Sequence, residues 1–546
     1  FWLKEKSTHR YHRYPSSFAG GLGAMAPYDA SEEVAPPFQS LYFSNEFMSK
    51  YEPLATANRR LKEDKNDKEA QKMYDEHFPM YKNYDWCSTW DGNKYDLVFY
   101  GVSGYTGYLM MEYLKRVSLK RNPEPFTFCF AGRTPSRVAE LRDREFAGTQ
   151  WENTPVLQMS YDDPYSVIDL VKSARCIINV AGPYMLTQGE LMIDCCISMG
   201  VHYCDISGEI PWSRRITPLN YYAQRNKAFI IPSAASAGGF PDLCTFLCAK
   251  KAREDYGEEL RKAICYVNGG GAIATASGGT LKTRATMAAG GDDTRKMMGD
   301  PYALGGFVPD RDRHGIKYCN IEFGTGKVTT KVRAEDLDAN MSKISEDKHL
   351  GIWRGPNVYS YFDTRIVRRS NMLLADMGGT PYGKSLNFLQ FSVLPTEMLL
   401  QQKGAGGGAG GGIGGGAGGG GGGGSVEAER KALEAKGVYY KAGEGPPLEE
   451  LDDAWSAWFL WSQTDKGHEI KCDFIGRDGY FETARIAVET AMTLVFDQPN
   501  LPFPGGVLTP AVACGEALAR RLIHSGVKFK MGEWHGVEEF NPPPNP

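Results

Sequence analysis

The chain has 546 residues, with 62 Lys and Arg against 66 Asp and Glu, a net charge of −4 and a pI near 6.2. Such a length predicts two to four domains, and the near-balanced charge excludes general affinity for nucleic acid or an anionic membrane surface. Hydrophobic residues make up 42%, mean hydropathy is −0.40, and no apolar run approaches the roughly 18 residues of a spanning helix.

The chain begins at Phe1, which reads as a processed or incomplete start. Lys4, Lys6, Arg10 and Arg13 face one Glu5 there. That pattern fits the end of an organellar transit peptide, with a lean to the mitochondrion over the cytoplasm, and equally a basic surface arm. Residues 1–93 hold 17 aromatics, too many for a disordered tail, and read as an extended N-terminal arm that packs on this protein or on a protein partner. One polar helix is expected in it, around Ala55–Glu76. The 12 cysteines contain no CxxC pair and no Cys/His set with zinc spacing, so buried free thiols in a reducing intracellular compartment are expected, and no metal.

From Lys94 strands and helices alternate. Asp96–Tyr100 reads as a buried strand, Gly101, Gly104 and Gly107 follow at a spacing of three, and Tyr108–Arg116 reads as a helix. Strand, glycine turn and helix aim backbone amides at a diphosphate, although the spacing is GxxGxxG and not GxGxxG. Gly101, Ser103, Gly104, Tyr105, Thr106 and Gly107 are the expected diphosphate residues.

A second strand, Phe126–Ala131, ends at Gly132-Arg133-Thr134, with no carboxylate between Phe126 and Ala139. A dinucleotide site for NAD places Asp or Glu there, whereas an Arg accommodates a 2′-phosphate. Arg133, with Ser136 or Arg137, therefore favours NADP over NAD; plain surface arginines are the other reading. Strands follow at Pro155–Met159 and Cys176–Val180, the latter running into Ala181, Gly182 and Pro183, where small residues admit a nicotinamide. Helices are expected at Pro164–Lys172 and Gly189–Met199, and further strands from His202 and at Phe229–Pro232. This alternation predicts a doubly wound parallel sheet of the Rossmann type. Tyr203 and Asp205, at the end of the fifth strand, are candidate catalytic groups; a structural Asp205 capping the turn at Ser207-Gly208 is the alternative.

The motifs GVSGYTG, AGR, NVAGPY and HYCDISGE, with SGGT at Ser277–Thr280, DTRIVRRS at Asp363–Ser370, GYFETAR at Gly479–Arg485 and LPFPGGVLTP at Leu501–Pro510, resemble the saccharopine dehydrogenase-like oxidoreductase family and its relatives, the trans-acting enoyl reductases. The resemblance implies a Rossmann domain with bound NADP or NAD and a second α/β domain with a mixed sheet. It implies no substrate. After the sixth strand the family usually carries Cys-Gly-Phe-Asp-Ser; here the run from Ser233 to Asp242 is SAASAGGFPD.

The division expected is the arm 1–93, a Rossmann domain 94–235, a second domain 236–478 with a low-complexity insert at 404–424, C-terminal helices and a strand at 479–530 packing back on the core, and a tail 531–546. The insert has 17 glycines in 21 residues and reads as a surface loop. Asn357–Asn371 alternates and then turns basic. Arg365, Arg368 and Arg369 would suit an anion, or would form a solvated strand end. Trp455, Trp458 and Trp461 stand at helical spacing and suit core or a docking surface. No GxSxG, HExxH, Walker or EF-hand motif occurs.

Two functions remain open on the sequence. One is an NADP-dependent oxidoreductase acting on a lipid-like or amino-acid-like small molecule. The other is an accessory subunit, in a homodimer or larger assembly, that keeps the fold and the nucleotide.

Overall fold

The computed structural model describes residues 94–121, 126–187, 189–270, 276–306, 318–323, 328–394 and 426–535, together with residues 60, 64 and 66–77. Most of the aromatic arm, the glycine-rich insert and the end of the tail lie outside the described residues. Of the helix expected within the arm, Lys68–His77 is described.

In chain order the strands are β1 (Tyr95–Tyr100), β2 (Phe128–Gly132), β3 (Val156–Gln158), β4 (Ala174–Asn179), β5 (His202–Asp205), β6 (Phe229–Ile231), β7 (Leu260–Gly270), β8 (Tyr318–Phe323), β9 (Val328–Arg333), β10 (Ser345–Asp347), β11 (Ile352–Gly355), β12 (Asn387–Leu394), β13 (Trp455–Thr464), β14 (Glu469–Arg477), β15 (Gly506–Val507) and β16 (Lys528–Glu533). The first sheet is parallel throughout, in the order β3-β2-β1-β4-β5-β6-β15. Its strand order reverses between β1 and β4, and a crevice opens beyond the carboxyl ends of strands at such a reversal.

Helices cover both faces of this sheet. Leu97 and Phe99 of β1 face one core, with helix Tyr105–Tyr113, and Val98 and Tyr100 face the other, with helices Pro164–Lys172 and Gly189–Met199. Helix Gly479–Phe496 returns from far along the chain to pack on β1, β4 and β5. Asp478 caps its start, accepting the amides of Tyr480 and Phe481.

The second sheet is mixed, in the order β10-β11-β12-β7-β13-β14-β16, with β7 and β12 parallel and the other pairs antiparallel. The expected fold class is therefore observed. Ten of the cysteines, Cys129, Cys195, Cys196 and Cys204 among them, are free and buried.

Two expectations are corrected here. The Trp455–Trp461 stretch is a central strand, β13, and not a helix. Successive side chains alternate across it, so Trp458 stacks on Phe240 at 4.2 Å on one face while Trp461 lies beside His349 at 5.2 Å on the other. Both tryptophans are 5% exposed and form core on both faces, while Trp455, at the start of the strand, is half-buried. The basic stretch is helix Ser360–Asp376, not a strand end, and its arginines are buried. Arg365 donates to the carbonyl of Asp300 and pairs with Asp338, Arg368 donates to the carbonyls of Pro301 and Asp336, and Arg369 to those of Leu304 and Val507. These guanidiniums are taken up by backbone carbonyls and, for Arg365, by the Asp338 carboxylate inside the protein, and none is turned to solvent.

Candidate functional site

Gly101 ends β1 at φ +91°, and a Cβ there would stand 2.8 Å from the amide nitrogen of Ala181. The turn is thus pressed against the chain leaving β4, which only glycine permits. Gly107 serves a different contact, since its Cβ would meet Cα of Val102 at 2.4 Å, so helix Tyr105–Tyr113 packs directly on the turn. Gly104 is the N-cap and has no side-chain cap. The first helical bond runs from the amide of Tyr108 to the carbonyl of Gly104; the Gly104 amide donates to the carbonyl of Gly101, and the amides of Tyr105, Thr106 and Gly107 form the open helix end. Ser103, Gly104 and Thr106 are half-buried, and neither hydroxyl has a hydrogen-bond partner among the described residues. A cradle that Cβ atoms would fill, an uncapped helix end and two unused hydroxyls fit a diphosphate.

Beside it, β2 ends at Gly132. Arg133, Ser136 and Arg137 are exposed, around the start of helix Pro135–Phe146. The Arg133 charge bears on Tyr100 at the end of β1, opposing the burial that pushes this phenol up to about 12.

On the other side, Asn179 ends β4 and organises the loop Ala181–Tyr184. Its amide nitrogen donates to Tyr161 (3.2 Å) and Tyr203 (3.1 Å), and its oxygen accepts the amide of Ala181 at 3.0 Å. Glu209, 1% exposed, grips the same loop from β5's side by accepting the amides of Tyr184 and Met185, each at 2.8 Å. Burial pushes its carboxyl up to about 7, against the pull of those two amides.

Tyr203 and Asp205 are both 0% exposed. The Tyr203 hydroxyl donates to Asp205, as does the Trp212 indole, while the other carboxylate oxygen accepts the amides of Ser207 and Ser233. Burial pushes the Asp205 carboxyl up, and these donors oppose it. With every carboxylate lone-pair direction taken up by the protein, the pair ties the ends of β5 and β6 together and has no face open to a substrate. The turn at Ser207 is the one a structural Asp205 makes.

Residues from far along the chain pack over the glycine turn. Tyr105 donates its hydroxyl to the carbonyl of Pro446 at 2.8 Å and meets the Tyr480 ring edge-on at 5.4 Å. The Tyr480 hydroxyl accepts the amide of Ser277 at 2.7 Å, and Ser277 caps helix Gly278–Ala289. Asp363, in the first turn of helix Ser360–Asp376, accepts the amide of Gly238 at 2.6 Å and is held by Gln390. Three motifs far apart in sequence, GVSGYTG, SGGT and GYFETAR, thus meet around Tyr105 and Tyr480. Sequence reasoning passed over Glu209, Tyr480 and Asp363 as individual residues, although all three stand inside the motifs that carried the resemblance.

No family model matches the chain. A protein of Mycobacterium tuberculosis named as a trans-acting enoyl reductase is 28% identical over 446 residues, which cover 80% of this chain and 97% of the relative. The trans-acting enoyl reductase of Mycobacterium ulcerans is 27% identical over 447 residues, or 81% of this chain and 99% of the relative. Its relatives are trans-acting enoyl reductases. The resemblance drawn from the motifs is borne out along nearly the whole length of these proteins. Among solved structures, a yeast saccharopine dehydrogenase aligns with a TM-score of 0.43 at 12% identity, covering 81% of this chain and all of that one. A homospermidine synthase from Legionella pneumophila, solved with NAD, aligns with a TM-score of 0.45 at 9% identity, covering 81% and 92%. Among the described residues no helix is long and apolar enough to cross a membrane, and no group of His, Cys, Asp and Glu is placed to hold a metal ion.

Proposed function

We propose that the protein is a nicotinamide-dependent oxidoreductase that reduces the carbon–carbon double bond of an enoyl compound, with NADP preferred over NAD. The observation that carries this reading is the Gly101–Ala181 approach, at the point where the strand order reverses. It sets a diphosphate cradle beside a loop of small residues. In this reading Gly101, Ser103, Gly104, Tyr105, Thr106 and Gly107 form the diphosphate site: Gly101 and Gly104, whose amides bond to the carbonyls of Ala131 and Gly101, allow close approach, and the open helix-end amides with the Ser103 and Thr106 hydroxyls donate. Arg133, with Ser136 and Arg137, holds the 2′-phosphate, and their exposure suits a charged group entering from solvent. Ala181, Gly182 and Pro183 border the nicotinamide, which when bound supplies a hydride.

Tyr203 and Asp205, the candidates for proton transfer, instead serve as positioning residues behind that loop, through Asn179. Glu209 fixes the same loop through two backbone amides. The enoyl substrate is suggested by the names of the full-length relatives. Titration with NADPH and NADH, followed by nicotinamide fluorescence, tests the reading. Saturable binding with NADPH the tighter is expected; no binding of either would overturn it.

A further inference from the structure

The segment Lys441–Pro446 lies against the glycine turn. It opens with a tight turn, closed by the Glu444 amide donating to the carbonyl of Lys441 at 2.9 Å, with Gly443 at φ +93°. A Cβ on Gly443 would stand 4.0 Å from the carbonyl oxygen of Ser103, and one on Gly445 would stand 2.6 Å from the Tyr105 ring. Pro446 accepts the Tyr105 hydroxyl at 2.8 Å. The same segment is pinned to the SGGT motif. The Gly278 amide donates to the carbonyl of Glu444 at 3.0 Å, and a Cβ on Gly278 would overlap the Lys441 carbonyl. The Glu444 carboxylate is turned back on its own turn, where it accepts the amide of Lys441 at 2.9 Å.

The glycine turn has no cation of its own. No Lys or Arg stands from Gly101 to Leu114, or from Val180 to Thr187 in the loop it presses against. An open helix end supplies the equivalent of only about half an elementary charge to a doubly charged diphosphate. Lys441 is exposed, makes no ion pair among the described residues, and stands two positions before the Gly443 that approaches Ser103. Its flexible four-carbon stem can bring the ammonium over that turn. We propose that Lys441–Pro446 is the outer wall of the dinucleotide site and that Lys441 is the cation that binds the diphosphate. This rests on the nicotinamide-cofactor reading and deepens it. NADPH and NADH share the diphosphate, so Lys441 serves both alike, in contrast to Arg133 at the 2′-phosphate.

The full chain is titrated with NADPH and with NADH by nicotinamide fluorescence, and is digested with trypsin in the presence and absence of each. Lys441→Met should weaken both nucleotides about tenfold, as loss of one charge-assisted contact does, and Lys441→Arg should retain most of the affinity. Lys436→Met, at an exposed lysine on the preceding helix, should change neither. In the wild type either nucleotide should slow cleavage after Lys441 relative to cleavage after Lys436. Wild-type affinity for both nucleotides in Lys441→Met, weakening of NADPH alone, or cleavage after Lys441 at the unliganded rate in saturating NADPH would each overturn the assignment while leaving the cofactor reading in place. Failure of the wild type to bind either nucleotide would overturn the cofactor reading and this assignment with it.

Discussion

The Tyr105 hydroxyl donates to the carbonyl of Pro446 at 2.8 Å across 341 positions of sequence, so the glycine turn of one sheet is tied to the chain that precedes a strand of the other. Gly445 seats against the face of the same ring, where a Cβ would come within 2.6 Å. Tyr105→Phe keeps the ring and orphans the carbonyl. A loss of about 1 kcal/mol is expected by urea unfolding; no loss would mean that water replaces the bond.

The three glycines of the turn should tolerate a methyl group to different degrees. Gly107→Ala and Gly101→Ala push a Cβ to 2.4 Å and 2.8 Å from backbone atoms, whereas Gly104→Ala meets only the Gly101 carbonyl at 3.4 Å. Thermal unfolding should fall by several degrees in the first two and by little in the third. An equal response from all three would show that the close approaches are absent in solution.

Arg133→Ala should weaken NADPH at least tenfold and leave NADH unchanged, because a 2′-phosphate is the one group the two dinucleotides do not share. The side chain is exposed, so stability should not change. Fluorescence titration with both nucleotides reads the result, and equal weakening would remove Arg133 from the phosphate site.

Arg365→Met should behave in the opposite way. The guanidinium is 0% exposed and serves the carbonyls of Asp300 and Met298 as well as Asp338. Removing it leaves buried carbonyls and a carboxylate without their donor, a loss on the order of 3 kcal/mol. Urea unfolding should show this while NADPH affinity in the folded fraction stays unchanged.

Burial pushes the carboxyls of Glu209, Asp242 and Asp363 up to about 7. In the unfolded chain such groups ionise near pH 4, so between about pH 4 and 7 the folded protein retains protons that the unfolded chain has released. Their contribution is therefore fully present below about pH 4 and is lost as pH rises through about 7. Tm should fall between pH 5 and pH 8. Glu209→Gln, which cannot ionise, should show a smaller fall over the same range, and an unchanged fall would place the titration elsewhere.

The nucleotide half was legible because its signals are local. Pro164–Lys172 and Gly189–Met199 match the helices to the residue, since a proline or glycine stands at the start of each and Gly200 directly follows the second. The misread stretches carry signals that only tertiary contacts resolve. β13 lies between two strands with a core on each face, so alternation vanishes and its tryptophans fall by chance at helical spacing. Arg365, Arg368 and Arg369 looked solvent-facing because the carbonyls that neutralise them come from residues about 65 positions earlier and, for Val507, far later. Tyr203 and Asp205 were placed correctly at a strand end. Their enclosure by Trp212, Ser207 and Ser233 depends on how β5 and β6 align.

Gly506 and Val507 align with Phe229 and Ile230 to complete the parallel sheet. A fragment stopping after β6 would therefore expose the edge of that sheet and strip the helix Gly479–Phe496 from its β1, β4 and β5 face. During synthesis the nucleotide half has to wait for a segment made some 275 residues after β6, so the two halves mature as one cooperative unit. Cutting the chain at the apparent domain boundary should yield an insoluble nucleotide half, and supplying residues 479–535 as a separate chain should restore its solubility.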